Sequence, residues 1–339
     1  MSERASVTHL DTILEELHRA RSALSSGEIG IAPTVATLNF IVFIDEPERR
    51  EWVRERALRV AEKHPSRLLL LDACDASGTA NVRISARQTP GSTVVSERVD
   101  LAVGGLDAGA VASLAQELSA HDIPTVLWWT ATRLLESRRF SALINAANGF
   151  LVDASGGGRD EAMLRELTRF LNVYDGIALH DLAWMRLAPW QEMIAQFFDA
   201  PELRDELSSL CALEIASGSA AEALYLAGWL ASALGWKAES PQGFQTSQGE
   251  PVSFKRTSEG EQRRIVRVTL ATRDSRFNAE LSADDHVVRL SVDGAKTREP
   301  WFVPLQNVEN TSLIERAILA RDTDEMFKTA LQALRNLLP

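Results

Sequence analysis

Two unbroken apolar runs, TLNFIVFID at 37–45 and SRLLLLDA at 66–73, constrain this chain more than any other feature. Neither alternates apolar with polar positions, so a strand built from either must be covered on both faces. The stretch between them is long enough for a helix and opens with Pro47, a residue tolerated at a first helical position. Strand, helix and strand in that rhythm predict a parallel βαβ unit inside a layered α/β domain.

The rhythm continues. ANVRISARQ (80–88) and TVVSERVDLAV (93–103) read as strands joined by a turn at Thr89-Pro90-Gly91. IPTVLWWT (123–130) and GFLVDAS (149–155) are further strands, and helices are expected over 8–24, 47–62, 108–120, 138–147 and from 161 to 172. The fold expected over 1–176 is a three-layer α/β domain with a parallel core and an antiparallel hairpin.

From 177 the pattern changes. Trp190, Met193, Ile194, Phe197 and Phe198 mark one face of an amphipathic helix, LCALEIAS (210–217) is a strand, and Ser219–Leu234 is a helix apolar nearly all round that stops at Gly235. Short strands follow over 251–303, then two helices, the first with capping-box spacing at Ser312 and Glu315. Residues 177–339 are therefore expected to form a C-terminal α+β domain with an antiparallel meander and helices.

The formal charge of −11 argues against broad nucleic-acid binding and against docking on anionic membranes. No apolar run reaches the ~18 residues of a membrane span, and the first residues lack a signal-peptide pattern. Cys74 and Cys211 are far apart and have no metal-ligand companions, which excludes a disulfide scaffold or zinc module and implies a reducing, cytoplasmic setting.

Catalytic signatures are missing. There is no phosphate-loop, dinucleotide, nucleophile-elbow or zinc-helix motif, and the histidines are scattered. Gly156-Gly157-Gly158 precedes a helix start and reads either as an anion cradle or as a plain loop. Arg267 and Arg273, with Arg289 on a later strand, read either as a solvated sheet face or as one for an anionic ligand. Each cysteine reads as structural or redox-active.

Tryptophan and arginine carry the recognition chemistry. Trp128 and Trp129 are neighbours on a strand and point to opposite faces, so either both are core or one waits for a partner. In HDLAWMRLAPW (180–190), Trp184 and Trp190 are interrupted by Pro189 and cannot share one helix. Arg186, between Met185 and Leu187, needs a carboxylate or a ring face, and Asp181 is the local candidate. The segment is either an internal Asp–Arg clamp at a domain junction or a ligand or partner contact.

DLAWMRLAPWQEMIAQFFD (181–199) closely resembles the hallmark segment of the OpcA family, the glucose-6-phosphate dehydrogenase assembly proteins. Asp181, Leu182, Trp184, Arg186, Leu187, Pro189, Trp190, Glu192, Ala195, Gln196, Phe198 and Asp199 match the family pattern; Gln191 departs from it, where relatives often carry arginine. Thr37-Leu38-Asn39, His64-Pro65-Ser66-Arg67, Asp122-Ile123-Pro124 through Trp128-Trp129, and LAGWLASALGW (226–236) resemble other family segments in the same order. The resemblance implies a non-catalytic, cofactor-free protein that assembles and allosterically activates glucose-6-phosphate dehydrogenase, the NADP-dependent entry enzyme of the oxidative pentose phosphate pathway. It marks Asp181, Trp184, Arg186, Trp190, Arg67, Trp128 and Trp129 as candidate partner-binding or domain-junction residues. Some photosynthetic relatives couple the dehydrogenase to thioredoxin; with no cysteine after 211, a C-terminal thiol switch is not expected here. The alternative is a sugar-phosphate- or nucleotide-binding enzyme using the α/β domain, with Gly156–Gly158, Arg67, Arg159 and Arg186 at its site. A third reading is a scaffold whose tryptophans are all core.

Overall fold

The computed structural model describes residues 12–15, 19, 36–89, 92–155, 158–241, 243–260, 264–306 and 308–338. Most of the helix expected over 8–24, the Pro90-Gly91 turn and Gly156-Gly157 lie outside the described residues. The chain forms two compact units. Unit 1 comprises Met1–Val152, Gly176–His180 and Asn310–Asp322; unit 2 comprises Asp153–Asp175, Asp181–Glu309 and Thr323–Pro339.

Unit 1 is built on a seven-stranded sheet. Its strands are β1 (Leu38–Ile44), β2 (Ser66–Asp72), β3 (Ala80–Thr89), β4 (Ser92–Ala102), β5 (Thr125–Trp129), β6 (Gly149–Val152) and β7 (Ala178–Asp181), in the order β3-β4-β2-β1-β5-β6-β7. β1 pairs in parallel with β2 and β5, β2 with β4, and β5 with β6. β3 is antiparallel to β4 and makes the expected hairpin with it at the edge. Every residue of β1 and β5 is buried, as two-sided coverage demands. The covering helices include α1 (Arg50–Lys63), α2 (Ala108–Leu118) and α3 (Arg138–Ile144). Asp107 caps α2 by accepting from the Ala110 amide. Pro47 opens a 3-10 turn, Pro47–Arg49, and α1 itself starts at Arg50. Leaving out the edge hairpin strand β3, the order is that of a doubly wound dinucleotide-type sheet, with its switch point between β1 and β5.

Unit 2 holds α4 (Asp160–Val173), a helical turn at Leu182–Met185, α5 (Ala188–Gln196) and α6 (Ala220–Leu234). Its eight-stranded sheet contains β8 (Ala212–Ser217), β9 (Lys237–Ser240), β10 (Gly243–Gln245), β11 (Pro251–Ser258), β12 (Ile265–Ala271), β13 (Ser275–Leu281), β14 (Val287–Gly294) and β15 (Arg298–Pro304). The order is β15-β14-β13-β12-β8-β11-β10-β9. The meander runs through β12–β15; β8 sits between β12 and β11 and pairs in parallel with β11. β13 buries Ser275, Phe277 and Ala279 and exposes Arg276 and Glu280, the period of a one-sided sheet. Phe277 meets Phe197 and Phe198 at centroid distances of 5.6 and 5.0 Å. α6 is buried nearly all round and ends at Gly235, which is left-handed at φ 69°. It packs on the final helix, α8 (Glu325–Ala333). A Cβ on Gly228 would stand 2.4 Å from the Ala330 carbonyl oxygen, so glycine permits this close helix approach.

The helix α7 (Asn310–Leu319) belongs to unit 1. It begins two residues before the expected capping box at Ser312, and Glu315 instead lies 2.6 Å from the Lys63 ammonium. No helix of the described residues is long and apolar enough to cross a membrane.

Candidate functional site

The 180–190 segment places Asp181 and Arg186 in a buried network within unit 2. β7 runs straight into the Leu182–Met185 turn, and Asp181 is the hinge residue between them. Its Oδ1 accepts from the amides of Ala183 (2.8 Å) and Ala154 (3.1 Å), and its Oδ2 accepts from the Tyr225 hydroxyl at 2.6 Å. Asp181 is fully buried, and burial pushes its carboxyl up to about 7; the nearby Asp153 charge adds to the rise and the three donors oppose it.

Arg186 does not find its carboxylates where the sequence suggested. Its Nε donates to Glu222 at 2.8 Å, and its Nη2 and Nη1 donate to the two Asp153 oxygens at 2.8 and 3.4 Å. Nη2 also donates to Ser155 Oγ. Asp181 was the nearer candidate in sequence, but its oxygens serve the helical turn, Ala154 and Tyr225. The Asp153 contact is bidentate, which suits a planar guanidinium. Burial works against the Arg186 charge, but Asp153 and Glu222 outweigh it and hold the guanidinium protonated. Burial raises Glu222 and Arg186 pulls it back.

Both tryptophans of the segment are buried. Trp184 packs against Tyr225 and Phe327 at 6.0 and 5.5 Å, and its indole N–H donates to Asp324 at 3.2 Å. Trp190 lies on α5, which starts only after the Leu182–Met185 turn, so the two rings do belong to separate helical pieces.

The remaining candidates lie in unit 1. Trp128 and Trp129 are each 1% exposed, and both faces of β5 are core. Trp129 stacks on Phe43 at 4.3 Å and donates to the Arg133 carbonyl; Trp128 pairs with Phe40 and Trp52. Arg67 bonds Glu97 at 2.6 Å and the Leu118 carbonyl at 2.9 Å. The structure thus brings Asp181, Trp184 and Arg186 into one neighbourhood, bridged by Tyr225 and Glu222 of α6, and leaves Arg67, Trp128 and Trp129 in another unit. None of the seven is an exposed side chain.

Sequence reasoning missed Asp153, Ser155, Glu222 and Tyr225. Glu222 carried a signal: it is a carboxylate inside the most apolar helix of the chain, and such a group needs a cation.

A cavity of about 520 Å³ opens beside the network, with Ser155 on its wall. Arg159, Arg165, Arg256, Asp160 and Glu161 also line it, so its charge is mixed. Asp160 already occupies the start of α6, accepting from Ser219 Oγ and the Ala221 amide at 3.1 Å each. Of the glycine triplet, Gly158 reaches this wall. The arginine face expected on unit 2 is self-neutralised in part: Arg267 pairs with Glu259 and Glu280, while Arg273 lies past the end of β12. Among the described residues no group of three or more His, Cys, Asp or Glu could hold a metal ion.

Comparison with known proteins separates fold from family. A crystal structure of an NAD binding oxidoreductase from Klebsiella pneumoniae matches with a TM-score of 0.50 over 88% of this chain and 94% of that one, at 11% identity. That likeness concerns the fold alone. Two family models match in sequence order: the glucose-6-phosphate dehydrogenase subunit N-terminal domain over 57–169 and its C-terminal domain over 177–331. The OxPP cycle protein OpcA of Synechococcus elongatus is 35% identical over 190 residues, covering 55% of this chain and 41% of that relative. That of Synechocystis sp. is 35% identical over 128 residues, 37% of this chain and 26% of the relative. The chain therefore matches less than half the length of these curated relatives. With both family models met along its length and OpcA proteins as its relatives, the chain belongs to the OpcA family.

Proposed function

We propose that this protein is a non-catalytic assembly factor and allosteric activator of glucose-6-phosphate dehydrogenase, acting in the cytoplasm in support of the oxidative pentose phosphate pathway. The observation that carries the reading is the ordered match to the two dehydrogenase-subunit models. The site geometry supports it. The charged groups gathered around Arg186 are engaged with one another, as in a structural clamp and unlike an open catalytic constellation. On this reading the seven candidate residues act by fixing the fold that presents a contact surface, because their own side chains are buried or nearly so.

An activator shifts an enzyme only by binding its active state more tightly than its inactive one. A coupling of about 1–3 kcal/mol is typical. The test is a titration of this protein into the dehydrogenase from the same cell, following NADPH formation at several glucose-6-phosphate concentrations. A saturable fall in apparent KM or rise in kcat is expected. A flat response, with no co-elution of the two proteins, sinks the reading.

A further inference from the structure

The strand order of unit 1 carries an implication of its own. Sheets wound in this order hold a dinucleotide outside the carboxyl ends of their strands, at the switch point. The pyrophosphate rests on the N-terminus of the helix after the first strand, where glycines let the backbone come close. An acid at the end of the second strand takes the ribose hydroxyl.

The loop after β1 is Asp45-Glu46-Pro47-Glu48-Arg49, and no glycine occurs from 45 to 63. Pro47 brings no N–H, and it sits in a 3-10 turn where a phosphate would need donors. Glu46, Glu48 and Glu51 add carboxylates around the same helix start. A pyrophosphate would meet like charge there instead of a cradle of amides.

The acid at the end of β2 is Asp72, and it is already engaged. It is buried, with Arg50 at 2.6 Å and Arg54 at 3.7 Å, and it accepts from the Cys74 amide at 3.1 Å. The arginine that holds it most closely opens α1, on the path a ribose would need.

Hydrogen bonds tie the strand ends to one another and to the loops beyond them. Thr130 Oγ1 donates to the Phe43 carbonyl at 2.8 Å, across the β1–β5 switch point. The Ala73 amide donates to Ile44, and the Gly104 amide to Asp75, each at 2.8 Å. A Cβ at Gly104 would lie 2.7 Å from the Ala73 carbonyl oxygen, so these loops touch. Arg139 then donates to the carbonyls of Val103, Gly104 and Leu106. The Cys74 thiol beside this loop is raised by burial first and then by Asp72 and Asp45, with Arg50 opposing them.

We infer that the switch-point crevice of unit 1 excludes dinucleotides, its phosphate cradle replaced by a glycine-free acidic turn and an Arg50–Asp72 ion pair, so that this chain binds neither NAD nor NADP. The inference does not depend on the dehydrogenase reading, and that enzyme enters the test only as a separate control for nucleotide binding. The purified full chain is titrated with NAD⁺, NADP⁺ and NADPH by calorimetry and by thermal shift, with glucose-6-phosphate dehydrogenase and NADP⁺ as the positive control. No saturable heat and no rise in Tm are expected into the millimolar range. Saturable binding of any of the three overturns the inference. A second readout is hydrogen exchange at 44–50, 72–76 and 103–106 with and without NADP⁺: unchanged exchange is expected, and new protection there overturns the inference equally.

Discussion

Two of the molecule's arginine–carboxylate clusters differ in their settings. In unit 1, Arg50 pairs with Asp72 at the open ends of parallel strands, and 36% of its side chain is exposed. In unit 2, Arg186 is held by Asp153 and Glu222, whose side chains are only 10% and 3% exposed. Asp72 itself is buried, but water reaches Arg50 and Arg54 stands 3.7 Å from the same carboxylate, so the Arg50 contact is partly screened and Asp72 keeps a second cation without it. The second cluster has lost most of its water, so each charge depends on the others. Identical residue types thus block a crevice in one place and commit the fold in the other.

The largest effect that would test this contrast is at Arg186. Replacing it with Ala should destabilise unit 2 by about 3–5 kcal/mol, because Asp153 and Glu222 would be left buried without their cation. Urea unfolding measures it; a loss below about 1 kcal/mol would place this cluster with the crevice pair. Arg186→Lys should recover only part of the loss, since an ammonium cannot reproduce the bidentate Asp153 contact.

The next effect is a pH slope. Asp181 is pushed up to about 7 in the fold and ionises near its ordinary value when unfolded. Between those values the folded state binds the extra proton, so stability falls as pH rises, by at most about 1.4 kcal/mol per pH unit, and levels off above the folded value. Asp181→Asn keeps an oxygen for the Ala154 and Ala183 amides and should flatten that slope. Parallel stability curves for the two proteins would show that Asp181 is ionised throughout.

A smaller loss is expected for Trp184→Phe, about 0.5–1.5 kcal/mol, as the ring contacts largely survive and the bond to Asp324 goes. The smallest is Arg50→Ala, which should cost no more than about 1 kcal/mol and shrink further in high salt. An Arg50 loss equal to that of Arg186 would erase the distinction between the clusters.

Sequence reading located elements better than partners. β1 and β2 were legible because two-sided burial leaves unbroken apolar runs. β13 and β14 were legible from their alternation. The insertion of β8 between β11 and β12 was not, because a strand's neighbours depend on pairings across some 40–60 residues that leave no local trace. The Arg186 site was half legible. Its flanking apolar residues announced a need for a carboxylate, but Asp153 and Glu222 stand 33 and 36 residues away, whereas Asp181 was close at hand. The short strands β9 and β10 gave no pattern, since three or four residues cannot display a period.

The assignment of α7 to unit 1 has a consequence for synthesis. The sheet of unit 1 is complete in sequence once β7 has been made, yet Asn310–Asp322 emerges from the ribosome only after nearly all of unit 2. The first unit to begin folding is therefore among the last to be finished. A nascent chain stalled before residue 310 would carry a full parallel sheet without the helix that brings Glu315 to Lys63. A fragment cut between the two family-model matches, at 170–176, would lack β7 as well as that helix.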